Sequence, residues 1–136
     1  MTKYAAYGTI LKKGVTTIVQ ISNISGPGLS LDTEDVTTHD STAAWEEVVA
    51  TILRSGEVTL DIVYDPATAT HKYAAGGLPY DMVSRTANAY SIVFPDAAST
   101  TWTFNAFVTG FEPNEPHDGA LTASVKMKIT GQPTLA

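Results

Sequence analysis

Alternation of apolar and polar residues, the mark of a half-buried strand, runs through most of this chain. The clearest case is Glu57 to Tyr64. Val58, Leu60, Ile62 and Tyr64 fall on one side, and Glu57, Thr59, Asp61 and Val63 on the other. Thr100 to Thr109 repeats the pattern with Trp102, Phe104, Ala106 and Val108. Leu121 to Thr130 does so with Leu121, Ala123, Val125, Met127 and Ile129. Tyr90, Ile92 and Phe94 make a shorter strand stopped by Pro95-Asp96, and Asp96 to Ser99 is a hairpin-sized turn. Val15, Thr17, Val19 and Ile21 alternate with Thr16, Ile18 and Gln20, which predicts a strand closed by Ser22-Asn23 and Gly26-Pro27-Gly28.

The remaining segments are less regular. Leu29 to Thr38 is extended and turns polar. His39 to Gly56 carries the β-branched residues Val48, Val49, Thr51 and Ile52, which disfavour helix, so a long loop with extended pieces is expected. Asp65 is a cap candidate and Pro66 suits a first helical turn. A short helix is therefore expected over Ala67 to Ala75, ended by Gly76-Gly77, with Leu78 to Ala89 as a connector. Phe111 to Gly119 reads as a loop, and Gly131-Gln132-Pro133 ends the last strand. Strands without the spacing of parallel units predict a mainly β fold. The expected form is an antiparallel β-sandwich or partial barrel of about six strands, flanked by one short α-helix.

The length of 136 residues fits one domain spanning 1–136. Charged residues make only 16% of the chain, and a surface so neutral suggests cover by other protein. The formal charge of −6 argues against a domain that grips nucleic acid by its phosphates. Its distribution is more informative. The ends carry only Lys3, Lys12 and Lys13, and Lys126 and Lys128. The middle holds Asp32, Glu34, Asp35, Asp40, Glu46, Glu47, Glu57, Asp61 and Asp65 against Arg54 alone. Such blocks suit head-to-tail association, which makes rings where it closes and filaments where it stacks.

Chemistry is hard to find. Without cysteine there is no thiol nucleophile, disulfide or Cys-based metal site. There is no Gly-x-Ser-x-Gly elbow, and His39, His71 and His117 are expected at the surface or a helix end. Asp32, Glu34 and Asp35 lack the calcium-loop pattern and read as solvated acids. No enzyme, metal or cofactor is expected. No apolar run approaches the roughly 20 residues of a membrane helix, and Met1 to Leu11 lacks a signal-peptide pattern. A soluble domain made in the cytoplasm is expected.

The order of segments is more telling. It runs from Tyr4-Ala-Ala-Tyr-Gly-Thr through Ile21-Ser-Asn-Ile-Ser-Gly-Pro-Gly-Leu-Ser-Leu-Asp to Val36-Thr-Thr-His-Asp-Ser. Next come Ser55-Gly56-Glu57, the stop at Tyr64-Asp65-Pro66, and Gly110-Phe111. In order and spacing the chain resembles the major tail tube proteins of long-tailed bacteriophages over nearly its whole length. The resemblance implies a virion protein of the tail that forms hexameric rings, their sheets joined into one inner barrel. The rings would stack around a tape measure protein and later pass DNA without binding it specifically. Other implied partners are the tail terminator and baseplate-side proteins. The implied contact segments are an N-terminal arm (1–14), a long inter-subunit loop (37–56) and a C-terminal tail (131–136).

Together with the charge blocks, this makes Lys3, Lys12, Lys13, Glu34, Asp35, Asp40, Trp45, Glu46, Glu47 and Arg54 the candidate subunit and ring contacts. Glu57, Asp61, Lys126 and Lys128 are candidates for the lumen or the outer polar face. The alternatives are a monomeric ligand- or carbohydrate-binding β-sandwich and a tube protein of the type VI secretion kind.

Overall fold

The computed structural model describes residues 3–135. Strands are β1 (Ile10–Lys13), β2 (Thr16–Thr17), β3 (Ile21–Ser25), β4 (Ser30–Asp35), β5 (Val48–Arg54), β6 (Glu57–Val63), β7 (Asn88–Val93), β8 (Thr101–Asn114) and β9 (Thr122–Leu135). One α-helix, α1 (Leu78–Ser84), precedes β7, and a 3-10 turn at Thr42–Ala44 precedes β5. Seven strands form one antiparallel sheet in the order β2-β1-β7-β8-β9-β6-β3. This curled half-barrel with one helix is the mainly β architecture that the alternation predicts.

The inner face of the sheet carries the core. Leu11, Val58, Leu60, Ile62, Tyr90, Ile92, Phe104, Ala106, Val108, Ala123, Val125, Met127 and Ile129 are all buried there. α1 packs against β8 and adds Leu78. The sides expected for β6, β8 and β9 are the observed ones, because a period-2 pattern determines which face is dry. Trp102 is half-buried and lies edge-on to Phe94, with ring centroids 5.3 Å apart.

Several expectations change. The strand predicted over Val15 to Ile21 is broken. Gly14, with φ of 61°, turns β1 into β2, and Gln20, with φ of 60°, interrupts the chain again before β3. Ile18 is buried while Val15 is exposed, the opposite of the alternation. The arm expected over 1–14 is in part sheet, since β1 pairs with β7 along its length. Met1 and Thr2 lie outside the described residues.

The loop expected over 37–56, with extended pieces, is irregular up to Glu47 apart from the Thr42–Ala44 turn, and then becomes strand. β5 pairs antiparallel with β4 as a separate two-stranded sheet. The helix expected over Ala67 to Ala75 is a series of turns. Asp65 does cap, accepting bonds from the Ala67 N–H (3.0 Å) and the Thr68 hydroxyl (2.8 Å), but what it caps is a turn. The helix forms instead at Leu78–Ser84, in the expected connector, where Gly77 is the N-cap and Pro79 lies in the first turn.

β8 continues into the expected loop as far as Asn114. β7 covers only its first half, so Pro113 pairs on one side only, where a missing N–H is tolerated. β9 likewise continues past Gly131, whose φ of 76° accompanies a register shift before Thr134 pairs with Thr103. The expected tail is therefore strand up to Leu135, and Ala136 lies outside the described residues.

Candidate assembly interface

The β4–β5 hairpin is an arm standing off a finished core. None of its residues belongs to the buried cluster. Strand register places Leu31 opposite Leu53, Glu34 opposite Val49, and Asp35 opposite Val48. Trp45 is 75% exposed, Ile52 57% and Leu53 79%. An isolated two-stranded hairpin is marginal in water, and this one holds large apolar side chains in solvent.

Polar bonds nonetheless shape it. Arg54 donates from Nε to Asp32 at 2.7 Å, on exposed side chains where such a pair contributes little. Near the tip the Thr37 hydroxyl accepts from the Glu47 N–H at 2.8 Å, and buried Ser41 accepts from the Thr38 N–H at 3.0 Å. The Asp35 carboxyl is held below its ordinary range by its hydrogen bonding with Thr37. The arm thus gathers Glu34, Asp35, Asp40, Trp45, Glu46, Glu47 and Arg54.

The basic candidates lie on the body. Lys3 is exposed in the segment before β1, and Lys12 is half-buried opposite Ser91. Lys13 is already paired within the chain. Its ammonium lies 2.6 Å from the Asp81 carboxylate of α1, which is 5% exposed, and the Tyr90 hydroxyl donates to the same oxygen at 3.3 Å. Burial first, and the Asp81 charge next, push the Tyr90 hydroxyl's pKa far up. Sequence reasoning missed Asp81, because one acid on a short helix shows nothing of its burial.

His71 was also misjudged. It is fully buried, accepts at Nδ1 from the Asp65 N–H (3.2 Å) and donates from Nε2 to the Val19 carbonyl (2.9 Å). Both ring nitrogens are thus used in tying the 65–71 turns to the segment before β3.

The outer face of the sheet is polar and locally balanced. Glu57 stands opposite Lys128, and Thr59 opposite Lys126. Asp61 accepts from the Ser124 hydroxyl at 3.0 Å. Phe107 is the large apolar residue on this face of β8, paired with Lys128. An open, mostly apolar groove of about 900 Å³ lies between the Tyr4–Thr9 segment, β3 and the β7–β8 turn. Among the described residues no His, Cys, Asp or Glu trio could hold a metal, and no helix is long and apolar enough to cross a membrane.

Solved structures share this fold. A chain from the virion of a native gene transfer agent particle superposes with a TM-score of 0.77 at 15% identity, covering 98% of this chain and 99% of that one. A chain from the sheath/tube terminator structure of the PVC extracellular contractile injection system gives 0.75 at 15% identity, covering 100% and 98%. One from the sheath-tube complex of that system gives 0.72 at 15% identity, covering 98% and 93%. No curated protein matches. The family described as lambda phage tail tube protein, TTP, matches residues 3–136. A half-barrel with a full core, an unsupported apolar arm and a family match along nearly the whole chain place this protein in the lambda phage tail tube protein family.

Proposed function

We propose that the chain is a tail tube subunit that closes into hexameric rings and stacks them into a conduit for DNA. The observation that carries this reading is the β4–β5 arm, whose exposed Leu31, Trp45, Val49, Ile52 and Leu53 lack cover from the chain's own core. Neighbouring copies would supply that cover, burying apolar area at roughly 25 cal/mol per Å². A similar fold occurs in a gene transfer agent tail refined with C6 symmetry, with a TM-score of 0.67, which supports six as the ring number.

Ring closure also accounts for the sheet edges. β2 and β3 end the seven-stranded sheet and are short, and joining copies would satisfy their unpaired backbone groups. The outer polar face, with Glu57, Asp61, Lys126 and Lys128 among hydroxyls, is assigned to the bore. Glu57, Asp61 and Glu112, the last opposite Ser124, are offset on this face by Lys126, Lys128 and Lys12, the last opposite Ser91, so it offers phosphates little net attraction. A tape measure protein inside the tube, and terminator and baseplate-side proteins at its ends, complete the assembly.

Negative-stain microscopy and light scattering of the purified protein, across concentration and salt, test this. Rings or tubes with a central pore are expected. A strict monomer at high concentration overturns the reading and favours a ligand-binding module.

A further inference from the structure

We propose that the acidic, apolar arm of one copy docks on the outer face of α1 of a second copy. This inference rests on the ring reading and names the receiving surface. Leu78 and Asp81 are the buried residues of α1. Tyr80 and Val83, three positions apart on the helix, are exposed, Val83 to 54%. Tyr73, from the turns before the helix, is 64% exposed and lies edge-on to Tyr80, with centroids 5.9 Å apart. Two exposed cations adjoin this aromatic surface in the chain. Lys72 precedes Tyr73, and Arg85 is the C-cap of the helix. Neither forms an ion pair among the described residues.

An apolar centre of tyrosines with a basic rim has the composition of a docking site. The arm is its complement in composition: one hairpin and its tip carry exposed Trp45, Ile52 and Leu53 together with Glu34, Glu46 and Glu47, with Ile52 and Leu53 on opposite faces of β5. The other cations fit less well. Lys13 is paired with Asp81, and Arg54 with Asp32. Lys126 and Lys128 stand on the polar sheet face across from β6, and half-buried Lys12 lies on β1 opposite Ser91. Lys3 with Tyr4 and Tyr7 has a similar composition, but on a segment outside regular structure. α1 is anchored by Leu78 and by the Lys13–Asp81 pair, so it presents its patch preorganised.

The test is a charge exchange. Lys72→Glu/Arg85→Glu and, separately, Glu46→Lys/Glu47→Lys should each raise the concentration needed for assembly by about tenfold or more, since like charges then face each other. Mixing the two variants should restore assembly, because each arm then meets a patch of opposite sign. If the wild type assembles and the Lys72→Glu/Arg85→Glu variant does so equally well, or if the mixture stays unassembled, the docking site is wrong and the ring reading stands. A monomeric wild type overturns both.

A second measurement does not depend on charge reversal. The chain has no cysteine. Copies carrying Leu53→Cys and copies carrying Val83→Cys should therefore cross-link to each other through a short bismaleimide when assembled. Absence of that cross-link in assembled material overturns the inference.

Discussion

Asp81 shows how much one side chain can hold. It receives the Lys13 ammonium and the Tyr90 hydroxyl on one carboxylate oxygen, and so joins α1 to β1 and β7. Asp81→Ala leaves a buried hydroxyl and a partly buried ammonium without their acceptor. We expect a loss of about 2–3 kcal/mol in denaturant unfolding, at the lower end for a broken buried pair because Lys13 keeps access to water. Unchanged stability would show that water replaces the carboxylate. None of this was legible in the sequence. Lys13 stood in a basic segment and Asp81 sat 68 positions away, and only folding brings them together. His71 has the same lesson, since Val19, which takes its Nε2 hydrogen bond, lies 52 positions away.

At the level of elements, the arm depends on its base. Gly26, Gly28 and Gly56 bring backbones together there. A Cβ on Gly56 would lie 2.5 Å from the Gly28 carbonyl oxygen, and its φ of 71° is left-handed. Gly56→Ala should cost about 1–3 kcal/mol through that crowding and backbone conformation. It should also reorient the arm, so assembly measured by light scattering should fall more than thermal stability does; an assembly-competent Gly56→Ala variant would exclude the arm from the contact. The β-branched run Val48 to Ile52 correctly argued against helix, but its pairing with β4 could not be read. Both strands are exposed throughout β5 and mostly so in β4, so no wet and dry faces marked them. The helix was misplaced for a related reason. Alanine-rich 67–75 has helical propensity, but the buried His71 and its two hydrogen bonds hold those residues in turns, and propensity is a weak prior against tertiary contacts.

Across the whole molecule, sensitivity to acid follows from three separate turns. Asp35, Asp65 and Asp96 each have carboxyls held below their ordinary value of 3.8, chiefly by hydrogen bonds with Thr37, Thr68 and Thr100. A carboxylate with a lowered folded pKa stabilises fully above the ordinary value, and that contribution is lost as pH falls through the folded value. The melting temperature should therefore be flat above about pH 5 and decline below about pH 4. Asp96→Asn, which weakens the caps on the Thr100 N–H (2.7 Å) and hydroxyl (2.6 Å), should lower the neutral-pH melting temperature and flatten the acid decline. An acid decline as steep as the wild type's would remove Asp96 from the account. The same scale governs assembly, because the 16% charged content left open what covers the surface, and the arm and α1 now mark where cover is needed.

The sequence by itself determined the fold class and the inner faces of β6, β8 and β9. A strand with one dry side has only one way to place its alternating residues, so the pattern is written locally. It also determined the family resemblance, which the match over residues 3–136 bears out. Tertiary structure alone decided that Ile10–Lys13 and Gly131–Leu135 belong to the sheet, that Lys13 is paired within the chain, and that the acids from Asp32 to Glu47 stand on an arm while Glu57 and Asp61 stay on the sheet. Each depends on contacts between segments distant in sequence, which local periodicity and charge counts do not encode.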